Sequence, residues 1–237
     1  MEDGGLREEL RDEGVVLLRS FFRLEPLARL RDAATRCFAT IESGGLVPGH
    51  FRFTPQSHSV LLTALLDFGV ESVEALLAPL RADGLGALFS DLVGDPWRCR
   101  LEHSWTRKKF APRHAPAGYH LQDWHQDGAL GAQFPLEPGP GIQAASLATC
   151  WIPLDACGVD SPGLEFILKP QPALLHFTEL DDTALRQRFE ATEFWTPALE
   201  FGDALVFRND VLHRTHVNPE MLRDRISVEY RIFPDNS

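Results

Sequence analysis

The chain has 237 residues, of which 44% are hydrophobic and 24% charged, enough to bury a sizeable core and outside the disordered and fibrous classes. Lys and Arg number 23 against 34 Asp and Glu, a formal net charge of −11, so the electrostatic footprint of a nucleic-acid or anionic-membrane binder is missing. The mostly charged opening MEDGGLREELRDEGVVLLRS does not read as a signal peptide, and the apolar runs are far too short to span a bilayer. Cys37, Cys99, Cys150 and Cys157 are scattered without a CxxC pair, so reduced thiols in a cytoplasmic protein are expected.

In chain order, Val15 to Leu18 follows Gly14 as a short apolar run and suits a buried strand. Pro26 fits the first turn of a helix that carries Leu27, Leu30, Ala34 and Phe38 at helical spacing and stops at Gly44-Gly45. Residues 59–93 read as two or three scaffold helices broken near Gly69, Pro79 and Gly84. From Trp97 the texture changes to short stretches rich in aromatic and β-branched residues: RCRLEHSWTRKKF, YHLQDWHQDG, AASLATCWIPLD, GLEFIL, DALVFRN and RISVEYRIF. Such spacing argues for a β-sandwich or barrel, with one helical insertion at Asp181 to Ala191. No repeat or hinge-like linker appears, so one domain is expected over 1–237. It would have a helix-rich part to about residue 96 and a β core from about 97 to 237.

Nine histidines are the place to look for chemistry, and only His125 has a carboxylate two residues on, at Asp127. That pairing alone means little, since roughly one is expected by chance in this composition. On a strand, however, residues i and i+2 share a face, so His125 and Asp127 would present two metal ligands side by side, with Gly128 turning the backbone away. A third ligand would come from the C-terminal stretch, which offers His213 and His216. Two His and one Asp bind one face of an octahedral Fe(II) and leave three positions open, although zinc accepts the same set. The last strand alternates strictly, with Ile226, Val228, Tyr230 and Ile232 on one face and Arg225, Ser227, Glu229 and Arg231 on the other. Arg225 and Ser227 together can hold a carboxylate, the guanidinium through a two-pronged contact and the hydroxyl through a third hydrogen bond.

WHQDG, then Gly-Asp-x-x-x-Phe leading to His213, then Asn218 and Arg-x-Ser, resembles the phytanoyl-CoA dioxygenase family. The opening EGVVLLRSFFRLEPLARLRDA is similar to the family's first strand and helix, whereas residues 44–97 match nothing in it. The resemblance implies a double-stranded β-helix (a jelly roll, mainly β with flanking helices), Fe(II), 2-oxoglutarate as cosubstrate and O2. It implies a hydroxylase that oxidises a C–H bond of a small-molecule substrate and releases succinate and CO2. The matching residues are His125, Asp127 and His213 for the metal and Arg225 for the far carboxylate of 2-oxoglutarate, with Thr215 or Ser227 assisting and Gln126 and Trp151 lining the cosubstrate. Arg225 is preferred to Arg223 because Ser227 then shares its strand face. Asp127 stands where a halogenase of this kind would carry Gly or Ala, so halogenation is not expected. The chain departs from the family where GLEFIL runs into Lys169-Pro170-Gln171-Pro172 instead of a Pro-Gly-Ser-His turn.

Two other readings remain: a non-catalytic metal- or small-molecule-binding barrel, and a zinc-dependent cupin-type hydrolase or isomerase, which would leave Arg225 and Ser227 unused. His50, His58, His103, His114, His120 and His176 read as uninvolved in metal binding, and Arg107-Lys108-Lys109 as a solvated edge from which Arg107 could turn inward. The Pro/Gly-rich stretch 134–141 is expected to be a loop that could cover the metal. The sequence leaves oligomeric state open.

Overall fold

Residues 3–50, 58–119, 121–137 and 141–235 are described by the computed structural model. Helix α1 (Asp3–Asp12), which the charged opening did not suggest, leads into β1 (Val15–Leu18) and α2 (Leu24–Glu42). The stretch expected to be wholly helical opens instead with a strand, β2 (Ser59–Leu61), then a 3-10 turn over Leu62–Phe68. Helix α3 (Val73–Leu76), a second 3-10 turn (Ala78–Arg81) and α4 (Leu85–Val93) follow, with breaks at Gly69 and Gly84, both at positive φ. The β region comprises β3 (Trp97–Cys99), β4 (Trp105–Lys109), β5 (Ala148–Pro153), β6 (Gly163–Ile167), helix α5 (Asp182–Arg188), β7 (Phe194–Trp195), β8 (Ala204–Arg208), β9 (His213–His216) and β10 (Arg225–Pro234).

These strands form two antiparallel sheets. The larger runs β1-β8-β5-β10-β4-β2 with β3 also on β10, and the smaller runs β7-β6-β9. The arrangement is the jelly roll, or double-stranded β-helix, expected from the sequence.

Period-2 alternation divides the larger sheet into two faces. Val16, Leu18, Ala148, Cys150, Ile152, Ala204, Val206, Ile226, Val228, Tyr230 and Ile232 form one apolar cluster with Leu27, Leu30, Ala34, Cys37 and Phe38 of α2. The opposite face turns toward the smaller sheet: Val15, Trp151, Leu205 and Phe207 pack against Leu164 and Phe166. The polar row of β10 lies on that inner face and is buried throughout, so it lines the interior and is not a solvated surface. Cys37, Cys99, Cys150 and Cys157 are free thiols, and burial raises all four. Among the described residues no helix is long and apolar enough to cross a membrane.

Candidate metal centre and cosubstrate pocket

The segment around His125 is not the strand the alternation suggested. Its backbone meets β9 at one point only, where His125 and His213 exchange N–H···O bonds of 3.0 Å each in an isolated antiparallel bridge. That single bridge sets the imidazoles side by side, ring centroids 4.2 Å apart. The chain then leaves the ladder and enters a 3-10 turn, Asp127–Ala129. Gly128 makes the turn possible: its N–H donates to Asn209 O at 2.8 Å, and a Cβ there would lie 2.6 Å from Ala144 Cβ.

His125, Asp127 and His213 thus converge, with one ligand atom of each within 4.8 Å of the others. Each Nδ1 faces a backbone carbonyl, Asp123 O at 2.7 Å and Val211 O at 3.1 Å. A carbonyl can only accept, so each Nδ1 carries the proton and each Nε2 keeps its lone pair, the form in which imidazole binds a metal. Both Nε2 atoms look toward Asp127 Oδ1, at 3.9 and 3.8 Å. Burial, and for His125 the neighbouring His213, keeps both rings neutral, His125 being pushed down to about 3. Burial alone would raise Asp127, but Arg231, His213 and His125 outweigh it and hold the carboxyl well below the usual carboxylate range. Two neutral imidazoles and one carboxylate fit a divalent transition metal. His216, the rival, lies half-buried at the end of β9 and outside this group.

Beside the metal group is a narrow space lined by Arg225, Thr215, Trp151, Lys109, Arg107, Gln122 and Glu229, among others, together with both histidines. Arg225 is 1% exposed, donates through Nε to Pro162 O at 3.0 Å and through Nη1 to Ser227 Oγ at 2.6 Å, and lies over the Trp151 ring at 4.8 Å. Arg223 instead pairs with Asp160 on the surface. Lys109 sits directly opposite Arg225 in the β4–β10 register and is also buried. Among the described residues neither cation has a carboxylate within ion-pair distance. Two buried like charges across one strand pair are unfavourable; Glu229, itself paired with Arg107, offsets part of that repulsion, and a bound anion would offset more. Burial, Arg107 and Arg225 push Lys109 down to about 7.

The Gln126 amide donates to Asp210 O at 2.9 Å and accepts from Leu175 N at 2.8 Å, tying the turn to its neighbours, and the residue lies in the wall of the larger cavity described below, not beside Arg225. Gln122 lies beside Arg225's space instead, donating to the His125 Nε2 lone pair at 2.8 Å, a contact that a metal would displace. The basic run also divides by strand parity, with Arg107 and Lys109 inward and Lys108 outward against Glu42 and Asp224. Parity was the signal for Lys109; no sequence signal marked Gln122.

A cavity of about 680 Å3 opens on the other side of the metal group, lined by His50, Leu61, Trp105, Arg107, Leu130 and Arg231 among others. His50 and His103, read as uninvolved in metal binding, are part of its wall. Within the stretch expected to cover the metal, Pro138-Gly139-Pro140 lies outside the described residues, as does His120.

The sequence profile of the phytanoyl-CoA dioxygenase family matches residues 10–219. The chain belongs to that family. No curated protein sequence matches it. Among solved structures it is similar to EvdMO1 (17% identity, TM-score 0.67), covering 98% of this chain and 50% of that one, so it spans half the length of EvdMO1. EctD from S. alaskensis, solved with 2-oxoglutarate and 5-hydroxyectoine, is 17% identical at TM-score 0.68 over 96% of this chain and 74% of its own. The epimerase SnoN, solved with Fe3+, alpha ketoglutarate and nogalamycin RO, is 18% identical at TM-score 0.65 over 98% and 83%. At such identities these likenesses speak to the fold.

Proposed function

We propose that this phytanoyl-CoA dioxygenase family member is an Fe(II)- and 2-oxoglutarate-dependent oxygenase that hydroxylates a C–H bond of a small molecule. The observation that carries the reading is the pair of buried cationic side chains, Arg225 and Lys109, neither with a carboxylate within ion-pair distance among the described residues, beside a ligand-ready His-Asp-His group. A dicarboxylate that chelates a metal at one end needs a buried cationic site at the other, and a zinc hydrolase or structural barrel has no use for one.

In this reading His125, Asp127 and His213 hold the metal. Arg225, supported by Ser227 and flanked by Lys109 and Thr215, takes the far carboxylate, and the planar guanidinium is kept in place by Pro162 O and the Trp151 ring. Bound iron with 2-oxoglutarate and O2 supplies the oxidant, with succinate and CO2 released. The cavity of about 680 Å3 falls within the size range of small-molecule sites and adjoins the metal group, so it is the substrate's place. Apolar Leu61, Trp105 and Leu130 would seat the substrate's carbon skeleton and keep water from the reacting C–H bond. The apolar cluster shared by α2 and the large sheet supports treating the chain as one catalytic domain.

Anaerobic addition of Fe(II) and 2-oxoglutarate is expected to give a weak visible charge-transfer band, and aerobic turnover to release succinate. Asp127→Ala should lose both. A wild-type protein that gives neither band nor succinate overturns the reading. If succinate forms and the product is epimerised or cyclised without gaining oxygen, the hydroxylase part alone fails.

A further inference from the structure

Asp127 is the member of the metal group whose backbone makes no β bridge, lying on a 3-10 turn, yet its carboxylate is the most firmly held. Thr149 and Arg231 are direct cross-strand partners in the β5–β10 register, and both reach it. The Thr149 hydroxyl donates to Oδ2 at 2.6 Å, and Arg231 Nη2 donates to Oδ1 at 2.9 Å. Arg231 Nη1 also donates to Thr149 Oγ1 at 3.0 Å, closing a three-membered ring of contacts. Thr149 is fully buried, and Arg231 is fixed further by Glu229, at 3.7 Å, which Arg107 holds from the other side.

The two oxygens of Asp127 are therefore not equivalent. Oδ1 faces both imidazole Nε2 atoms, while Oδ2 is turned onto a hydroxyl on the large sheet. We infer that Thr149 and Arg231 are positioning residues that confine Asp127 to ligation through Oδ1 alone and so keep an adjacent metal position free for the cosubstrate. The inference rests on the function proposed above. Carboxylates bind metals through one or two oxygens with little intrinsic preference, so a hydrogen bond that occupies the second oxygen decides the mode. A bidentate Asp127 would take a position that 2-oxoglutarate needs.

The test separates iron binding from cosubstrate binding. In Thr149→Val, nearly isosteric but without a hydroxyl, Oδ2 is released. Anaerobic Fe(II) affinity should stay within about threefold of wild type or tighten, while 2-oxoglutarate affinity for the iron-loaded protein falls about tenfold and the charge-transfer band shifts. Thr149→Ser keeps the donor and should restore both. Arg231→Lys keeps the charge but cannot bridge Thr149 and Asp127 together, and should move the same readouts in the same direction; it decides the matter if Thr149→Val does not fold. A band and a 2-oxoglutarate affinity within about twofold of wild type in the folded Thr149→Val protein overturn the inference. Failure of the underlying function reading looks different, because the wild-type protein itself then shows no band.

Discussion

Lys109 is the residue whose chemistry changes most with its surroundings. Burial, with Arg107 and Arg225 nearby, brings its ammonium down to about 7. A carboxylate bound opposite would favour the charged form, so the lysine titrates higher with 2-oxoglutarate than without it. Between those two values the free protein lacks a proton that the complex holds, and binding must take one up. Affinity for 2-oxoglutarate should therefore be flat below about pH 7 and weaken as pH rises through it, by up to about tenfold per unit. Lys109→Met should bind more weakly at low pH and lose the slope. Calorimetric titration in buffers of different ionisation enthalpy reads the proton directly; an equal slope in the variant would assign it to another group.

At the scale of the elements, β10 is where the fold and the site meet. Its apolar residues face α2 and α4, and its polar residues face the metal group. Tyr230 lies on the helix side, fully buried, its hydroxyl donating to Leu76 O of α3 at 2.7 Å. Tyr230→Phe removes that bond and leaves a buried carbonyl unmet, a cost of about 1–3 kcal/mol, or a melting temperature lower by about 2–12 °C. Because neighbouring residues on a strand point to opposite faces, iron and 2-oxoglutarate affinities should be unchanged in this variant. A loss of either would mean that the two faces are coupled through the strand.

The same two-residue period made this strand legible in the sequence, polar row included, and the 3.6-residue period did so for α2. What misled was the segment of His125 and Asp127. It alternates like a strand, but it pairs at a single bridge and owes its geometry to Gly128, Asn209, Thr149 and Arg231. Those partners are remote in sequence, and no local pattern announces them. The partners of the Gln126 amide are likewise backbone groups of distant loops, which the sequence does not announce.

For the whole molecule, the separation of the metal group from the Arg225 site predicts that iron and then 2-oxoglutarate stabilise the fold in two successive increments. A ligand that binds only the folded state at about a hundred times its Kd adds about 2.7 kcal/mol, which for a chain of this size is a rise of about 5–10 °C. Anaerobic thermal melts with Fe(II) alone, and then with 2-oxoglutarate added, should show one such step each. Arg225→Ala should keep the first step and lose most of the second, because two charge-assisted contacts of about 1.5–3 kcal/mol each vanish while no metal ligand is touched. Arg225→Lys, with the charge but not the planar fork, should recover part of it. Arg223→Ala is the control: its guanidinium is spent on Asp160 at 2.6 Å, half-exposed at 56%, so both steps should persist. If the second step survives in Arg225→Ala and disappears in Arg223→Ala, the far carboxylate is held outside the buried space that Arg225 and Lys109 share.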